Sequence, residues 1–393
     1  MTGWGRPVPS QVPGFQKNSR DKAVPAPICS LFWILHAEQH EANAHMMNKS
    51  LNLKVGEWVE IRSKEEILAT LDRNGQLEGM PFMPQMFQYC GKRFRVYKRA
   101  HKTCDTVYPI RGRRLSNGVH LETRCDGLAY GGCQATCLIF WKEAWVKRAD
   151  GGEAERSVGK GRAAQQGGAD ARGGCSEQDV WAGTRQPGQQ NEPDPAYRCQ
   201  ATQLPHATTT LNWWNFGQYF EDYVSGNVGI WTILKGAVYS SYYGVCARRV
   251  RLRRIMEWFY NTFRPLWRGT LFPRSSGTLP AGIPTPSCDL SLQPGELVRV
   301  KSHREILRTL NTENKNRGLF FDAEMVPYCG GTYRVLKRVD RILDEKTGKM
   351  VRFKNQAVIL EGVICQSRYS DCRMFCPRAI YSYWREIWLE RVR

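Results

Sequence analysis

One stretch of this chain occurs twice, and any fold has to accommodate both copies. Gly56 to Arg99 and Gly295 to Arg338 align without a gap at an offset of 239 residues, with nineteen of 44 positions identical. The copies close on Tyr89-Cys90-Gly91 and Tyr328-Cys329-Gly330, each leading into a basic run, Arg95-Val96-Tyr97-Lys98-Arg99 and Arg334-Val335-Leu336-Lys337-Arg338. Identity of this extent marks a tandem duplication, and 393 residues leave room for two modules with further segments between them.

Within each copy the local pattern is readable. Val59 and Ile61 alternate with polar positions after the turn at Gly56, as do Val298 and Val300 after Gly295, which predicts a half-buried strand. Ser63 and Ser302 are each followed three residues later by glutamate, Glu66 and Glu305, the signature of a capping box opening a short helix. Those glutamates are therefore expected to be caps and not catalytic acids. Strands are expected over 93–98 and 332–337, with Asp344 to Lys349 turning the second into a return strand through Ala357 to Leu360. Each module ends on an aromatic-rich segment, Trp141-Lys142-Glu143-Ala144-Trp145 or Trp384-Arg385-Glu386-Ile387-Trp388, expected to be core. The fold class is mainly β with short helices (α+β), as two small five-stranded barrels of SH3-like type, each with one inserted helix.

Eight of the fourteen cysteines fall into two matched sets, Cys90, Cys125, Cys133, Cys137 and Cys329, Cys365, Cys372, Cys376. Matched sets favour metal ligation in a reducing compartment over disulfides, and the chain is expected to be cytoplasmic. Four thiolates make a closed tetrahedral site, so two structural zinc ions are expected, with an iron–sulfur cluster as the alternative metal centre and buried free thiols as the plain one. Cys125-Asp126-Gly127 matches the start of the CDGSH iron–sulfur motif, but no histidine follows where that motif needs one. Cys104, His101 and His120 have no counterparts in the second copy and are expected to be structural; Cys199 repeats the local Cys-Gln-Ala-Thr of Cys133.

The formal charge is +20, spread along the chain and compatible with nucleic acid or an anionic surface. The shared cations Arg95, Lys98, Arg99, Arg334, Lys337 and Arg338 are the candidate partner contacts. Between the modules, Trp213, Trp214, Phe216, Tyr219 and Phe220 cluster, and Leu252, Ile255, Met256, Phe259, Tyr260 and Phe263 recur at helical spacing beside five arginines at 248–254. This amphipathic stripe is expected to pack on a barrel, with docking of 228–263 on a membrane surface as the alternative. The expected organisation is a disordered leader over 1–50, module one over 51–148, a disordered linker over 149–195, an aromatic and basic helical segment over 196–275, a Pro/Gly linker over 276–291 and module two over 292–393. The charged stretch His36 to Glu41 between the apolar run 28–35 and Ala42-Asn43-Ala44 argues against a signal peptide, and Met46 or Met47 is the expected working start.

At Gly330-Gly331-Thr332-Tyr333-Arg334-Val335-Leu336-Lys337-Arg338 and from Cys376-Pro377-Arg378 to Trp384-Arg385-Glu386-Ile387-Trp388-Leu389 the sequence resembles a family of bacterial hypothetical proteins, over Leu53 to Arg148 and from about Tyr197 to the end. No activity attaches to that family. The resemblance implies an accessory role beside glycosyltransferases of polysaccharide loci; a location peripheral to the inner membrane is the alternative to a purely cytoplasmic one. The residues themselves carry no nucleophile motif, P-loop or dinucleotide fingerprint. The expectation is a non-catalytic binding or scaffold protein whose partner is a protein, nucleic acid or anionic surface; the alternatives are an iron–sulfur redox protein and a peripheral membrane accessory protein.

Overall fold

The computed structural model describes residues 50–108, 111–149, 174–189, 191–248, 250–267, 269–370 and 372–392, all within one compact unit, 50–393. The leader up to residue 49 and the start expected at Met46 or Met47 lie outside the described residues.

Strand β1, Trp58–Ile61, turns Val59 and Ile61 into the core, as its alternation requires. Helix α1, Lys64–Leu68, follows; Ser63 Oγ accepts the Glu66 amide and the Glu66 carboxylate accepts the Ser63 amide, so the capping box is complete. A two-residue hairpin, β2 (Gln76–Leu77) and β3 (Met80–Pro81), and a 3-10 turn at Pro84–Tyr89 lead to β4, Arg93–Arg99. The chain continues into β5 (Lys102–Cys104), returns through β6 (Gly112–Arg114) and β7 (Gly118–Arg124), and closes with β8 (Leu138–Lys142) and β9 (Val146–Arg148). The main sheet is antiparallel, ordered β8-β7-β4-β1-β9.

Between the sheets stand α2 (Glu177–Ala182), α3 (Gln200–Ala207), β10 (Thr209–Leu211), α4 (Gly217–Val224), α5 (Ile230–Arg248) and α6 (Val250–Thr262). Part of the stretch expected to be a disordered linker is thus helical. Ser176 and Asp179 form a capping box, and Val180 is buried against Gly75, so a short capped turn finds a core that composition alone does not announce.

The second sheet is built from β11 (Leu297–Val300), β14 (Thr332–Leu343), β15 (Met350–Leu360), β16 (Trp384–Arg385) and β17 (Leu389–Arg391) in the order β16-β15-β14-β11-β17; α7 (His303–Leu307) and the small hairpin β12 (Lys315–Asn316)–β13 (Leu319–Phe320) lie between β11 and β14. Val59 pairs with Phe94 and Val298 with Tyr333, positions that correspond under the 239-residue offset. The tryptophans of both closing segments are fully buried, and each second one donates to a threonine at the end of the short helix, Trp145 Nε1 to Thr70 Oγ1 at 3.1 Å and Trp388 Nε1 to Thr309 Oγ1 at 3.0 Å. The architecture is α+β with mostly antiparallel sheets.

The two halves interlock through their hairpins. Strands β14 and β15 run well beyond 337, and the hairpin end reaches the cysteine loop of the first half, where Gln134 Oε1 accepts the amides of Asp340 and Arg341 at 2.6 and 3.1 Å. Reciprocally, the amide of Cys104 on β5 donates to Cys376 Sγ at 3.0 Å. Thr106 and Glu345, counterparts under the offset, hydrogen-bond to each other between the two hairpin ends.

Candidate functional site

The loop from Cys125 to Cys137 folds back on itself because Gly127 has φ +77°, and a Cβ there would stand 1.9 Å from the Cys133 carbonyl oxygen. The Cys125 amide donates to the Cys137 carbonyl at 2.8 Å, which closes the loop; the Cys365 amide does the same to Ile380 at 2.7 Å in the second half. A cavity of about 40 Å³ results, lined by Cys125, Cys133, Cys137 and Cys199 together with Glu345 and Arg378. Burial pushes the Cys137 thiol up to about 12 and the Cys199 thiol up to about 11, and in both cases the other cysteines of the cavity add to the rise. The Cys125 thiol is raised for the same reasons, burial first.

The expected ligand sets are therefore only partly brought together. Cys125, Cys133 and Cys137 share one cavity, but Cys90 is not part of its wall. Cys90 instead closes the 3-10 turn, its amide on the Phe87 carbonyl at 3.1 Å, and Gly91 (φ +73°) turns the chain into β4. Cys329 and Gly330 (φ +79°) make the same corner in the second half, where Cys329 Sγ lies 4.0 Å from the Met325 carbonyl oxygen. The shared Tyr-Cys-Gly is explained by this turn without any metal. In the second half Cys376 meets Cys104, and Cys365 Sγ stands 3.4 Å from Ser367 Oγ. Cys104 is pulled down to about 6 by the hydrogen bond from Cys376 and by the nearby Arg378. As placed, no three His, Cys, Asp or Glu side chains among the described residues form a group that could hold a metal ion.

The six shared cations do not make a free basic stripe. Arg99 is tied to Glu143 at 3.3 Å and to the Leu53 carbonyl, and Arg338 is tied in the same way to Glu386 at 3.2 Å and to the Leu292 carbonyl. Those carboxylates in turn accept the amides of Leu51, Asn52 and Leu53, or of Leu290, Ser291 and Leu292, and so fasten the lead-in to each sheet. The sequence pattern overlooks this pair, although the glutamate recurs between the two tryptophans in both copies. Lys98 donates to the Asn227 carbonyl, Arg95 lies over the Trp58 ring at 5.3 Å, and Arg334 donates to the Gly295 carbonyl at 2.7 Å. Lys337 is half-buried on β14. His120 is enclosed, its Nδ1 on the Ile139 carbonyl at 2.8 Å, and burial holds its pKa down to about 3, so it is a neutral core residue as expected.

A second feature lies on α4 to α6. Helix α4 faces the wrong way for a soluble surface helix: it buries Gln218 and Asp222, while Phe216 beside it and its own Phe220 are 73% and 71% exposed. The polar face is held by Asp222, whose Oδ2 lies 2.5 Å from Lys102 Nζ on β5. On α5, Ile230, Trp231, Leu234 and Val238 form an outward stripe with Trp231 75% exposed; Ile255, Trp258 and Phe259 on α6 and Phe263 just after it are exposed as well. Of the stripe expected to pack on a barrel, Leu252 lies outside the described side chains, and among Ile255, Phe259, Tyr260 and Phe263 Tyr260 alone is buried, in an aromatic cluster. Tyr260 joins Tyr239, Phe272 and Tyr369 in an aromatic cluster, whereas Ile255, Phe259 and Phe263 point away, because α5 and α6 pack on one another through that tyrosine side. No helix among the described residues is long and apolar enough to cross a membrane.

Comparisons with protein-family models, curated proteins and solved structures found no match.

Proposed function

We propose that this chain is a non-catalytic binding protein that docks on an anionic membrane surface through α4, α5 and α6, with the two sheets, read as small SH3-like barrels, as the scaffold behind them. The carrying observation is the inverted amphipathicity of α4, together with the exposed apolar side chains of α5 and α6. A helix held by its buried carboxylate while its phenylalanines stay exposed presents an apolar side for a partner to cover. The exposed Trp, Phe, Tyr, Ile, Leu and Val side chains over 213–263 amount to on the order of 1,000 Å², above the few hundred typical of a monomer's largest patch.

The occupant follows from charge. Between 213 and 268 the sequence carries eight lysines and arginines against three carboxylates, five of the arginines at 248–254 where α5 passes into α6. All three carboxylates are already engaged, Glu221 by Arg114 at 2.8 Å, Asp222 by Lys102 and Glu257 by the Ser275 hydroxyl. Aromatic side chains at the headgroup level with cations beside them are the composition of an interfacial helix. Nucleic acid fits less well, since Arg99 and Arg338 among the shared cations serve the scaffold.

The test is co-sedimentation of the full chain with vesicles of phosphatidylglycerol and phosphatidylcholine, or of phosphatidylcholine alone. Binding to the anionic vesicles, weakened by salt and reduced at least about 100-fold by combining Phe220→Ser, Trp231→Ser and Trp258→Ser, is expected from loss of more than ~1 kcal/mol per aromatic side chain. Equal partitioning of wild type and triple variant refutes the reading.

A further inference from the structure

Two cavities flank Arg368. One, of about 310 Å³, lies where Tyr97 and Lys98 of β4 meet Val228 and Gly229, just before α5, and the loop 364–379. The other, of about 360 Å³, lies between α5 and the same loop, with Trp231, Lys235 and Tyr239 in its wall. Thr232, Gln366, Arg368 and Phe375 line both. We propose that this cleft binds an organic phosphate ester, its phosphate held between Arg368, Lys98 and Lys235 and its organic part laid against Phe375 and the neighbouring aromatic wall.

The charge of the walls carries this. Lys98, Lys235 and Arg368 line the two cavities, and among the described residues no Asp or Glu does. Among the described residues no hydrogen bond or ion pair engages the Arg368 guanidinium or the Lys235 ammonium. Lys98 donates to the Asn227 carbonyl, and an ammonium has further protons to give. The carboxyls nearby do not supply the missing charge. Asp222 is taken by Lys102; Glu324 accepts the Tyr369 amide, and burial raises its pKa to about 7, so it is only partly ionised at neutral pH.

The site is also built. The backbone on both sides of Arg368 is fixed, since the Ser367 carbonyl accepts the Phe375 amide at 2.8 Å and the Tyr369 carbonyl accepts Arg274 Nη2 at 2.6 Å. Gln366 Nε2 donates to Tyr328 Oη at 3.0 Å, and Tyr328 Oη donates to the Ile364 carbonyl at 2.7 Å, so part of the wall is set before a ligand arrives. On the helix side, a Cβ at Gly236 would stand 2.5 Å from Phe375 Cζ; the glycine lets α5 close on that ring.

The chemistry of the ligand follows. A guanidinium fork, two ammonium groups and the Thr232 hydroxyl suit a phosphate, which has an oxygen for each, better than a carboxylate with two. Cavities of this size enclose a small molecule or a headgroup and leave no room for a folded partner. Trp231 belongs both to the wall and to the exposed stripe of α5, so the ester could reach the cleft free in solution or as the headgroup of a lipid. The site itself does not depend on membrane docking.

The test is titration calorimetry of the full chain, at fixed ionic strength, with phenyl phosphate, inorganic phosphate and phenol. Phenyl phosphate should bind at least about tenfold tighter than either of the others, because it alone uses both the cations and the aromatic wall. Arg368→Gln should weaken that binding at least about tenfold and Lys235→Gln about threefold, whereas Lys92→Gln, an exposed cation outside both cavities, should leave it within about twofold. Lys235 is exposed, so Lys235→Gln decides the matter if Arg368→Gln does not fold. Co-sedimentation of Arg368→Gln with phosphatidylglycerol vesicles then separates the sources: weakened sedimentation, with phenyl phosphate competing in wild type, supports a lipid headgroup, and unchanged sedimentation supports a soluble ester. Failure of wild type to sediment would sink the docking reading and leave this site standing. Phenyl phosphate that binds no tighter than inorganic phosphate or phenol, or binding that Arg368→Gln and Lys235→Gln weaken no more than Lys92→Gln, overturns the proposal.

Discussion

Replacing Asp222 by alanine should release α4 without touching the apolar face it presents. Asp222 is fully buried, and its partner Lys102 is 3% exposed, with the ammonium also 4.9 Å from the centre of the Tyr219 ring. Burial pushes the Asp222 carboxyl up to about 6 against the pull of Lys102, so the carboxylate is ionised at pH 7.5, where the assay belongs; burial also lowers the Lys102 ammonium, which Asp222 holds charged. Removing the carboxylate strands a buried ammonium, a change that costs about 3–5 kcal/mol. If that cost falls on local opening of α4, amide hydrogen exchange over 217–224 should quicken by roughly 10²- to 10³-fold, because about 1.4 kcal/mol is tenfold. Two companions make the reasoning refutable. Phe220→Ala, on the exposed side, should leave exchange within about threefold, since surface changes stay within ±0.5 kcal/mol. Replacing both partners with apolar residues, Lys102→Met with Asp222→Leu, should recover most of the loss, because neither charge is then left unpaired. Exchange in Asp222→Ala equal to wild type, or a Phe220→Ala effect as large as that of Asp222→Ala, would show that the polar face does not hold the helix.

Other outcomes follow from the same contacts. Glu143→Gln and Glu386→Gln should each weaken the lead-in to one sheet by about 1.5–3 kcal/mol, read as faster exchange at 51–53 or 290–292 only in the half that carries the change. His303 is buried, with its ring stacked on Phe321 at 6.1 Å, and burial holds its pKa down to about 4. A folded value below the unfolded one near 6.5 gives stability that is present above pH 6.5 and lost as pH falls through 4, worth up to ~3 kcal/mol. His303→Leu should flatten that acid decline in a tryptophan-fluorescence titration. Gly127→Ala forces a Cβ against the Cys133 carbonyl and should raise native alkylation of Cys133 at least tenfold.

Much of each sheet was legible because its signals are local. The Ser-x-x-Glu caps, the strand alternation, the turn at Asp344 to Lys349 and the buried tryptophans depend on residues within one turn or one strand of each other, and the structure places them accordingly. The lengths of β14 and β15 were not legible, because the distal hairpin is stabilised by the loop at Gln134 and not by its own composition. Helical spacing showed that α6 has an apolar side; it could not show that Tyr260 alone among Ile255, Phe259, Tyr260 and Phe263 turns inward, since a period says which residues share a face and nothing about what the face meets.

The cysteines divide along the same line. By itself the sequence determined that the chain is duplicated, that each copy carries a Tyr-Cys-Gly corner and three later cysteines, and that the middle segment is aromatic and basic. Only the tertiary structure decided which thiols face one another. Cys90 and Cys329 are retained at a backbone corner that glycine turns, while Cys199 arrives beside Cys133 from 66 residues further along the chain, brought there by α3 packing on the sheet. A residue's counterpart in a repeat records its position within the module, whereas contact is set by which surfaces pack together, and here the packing joins segments that the repeat keeps apart.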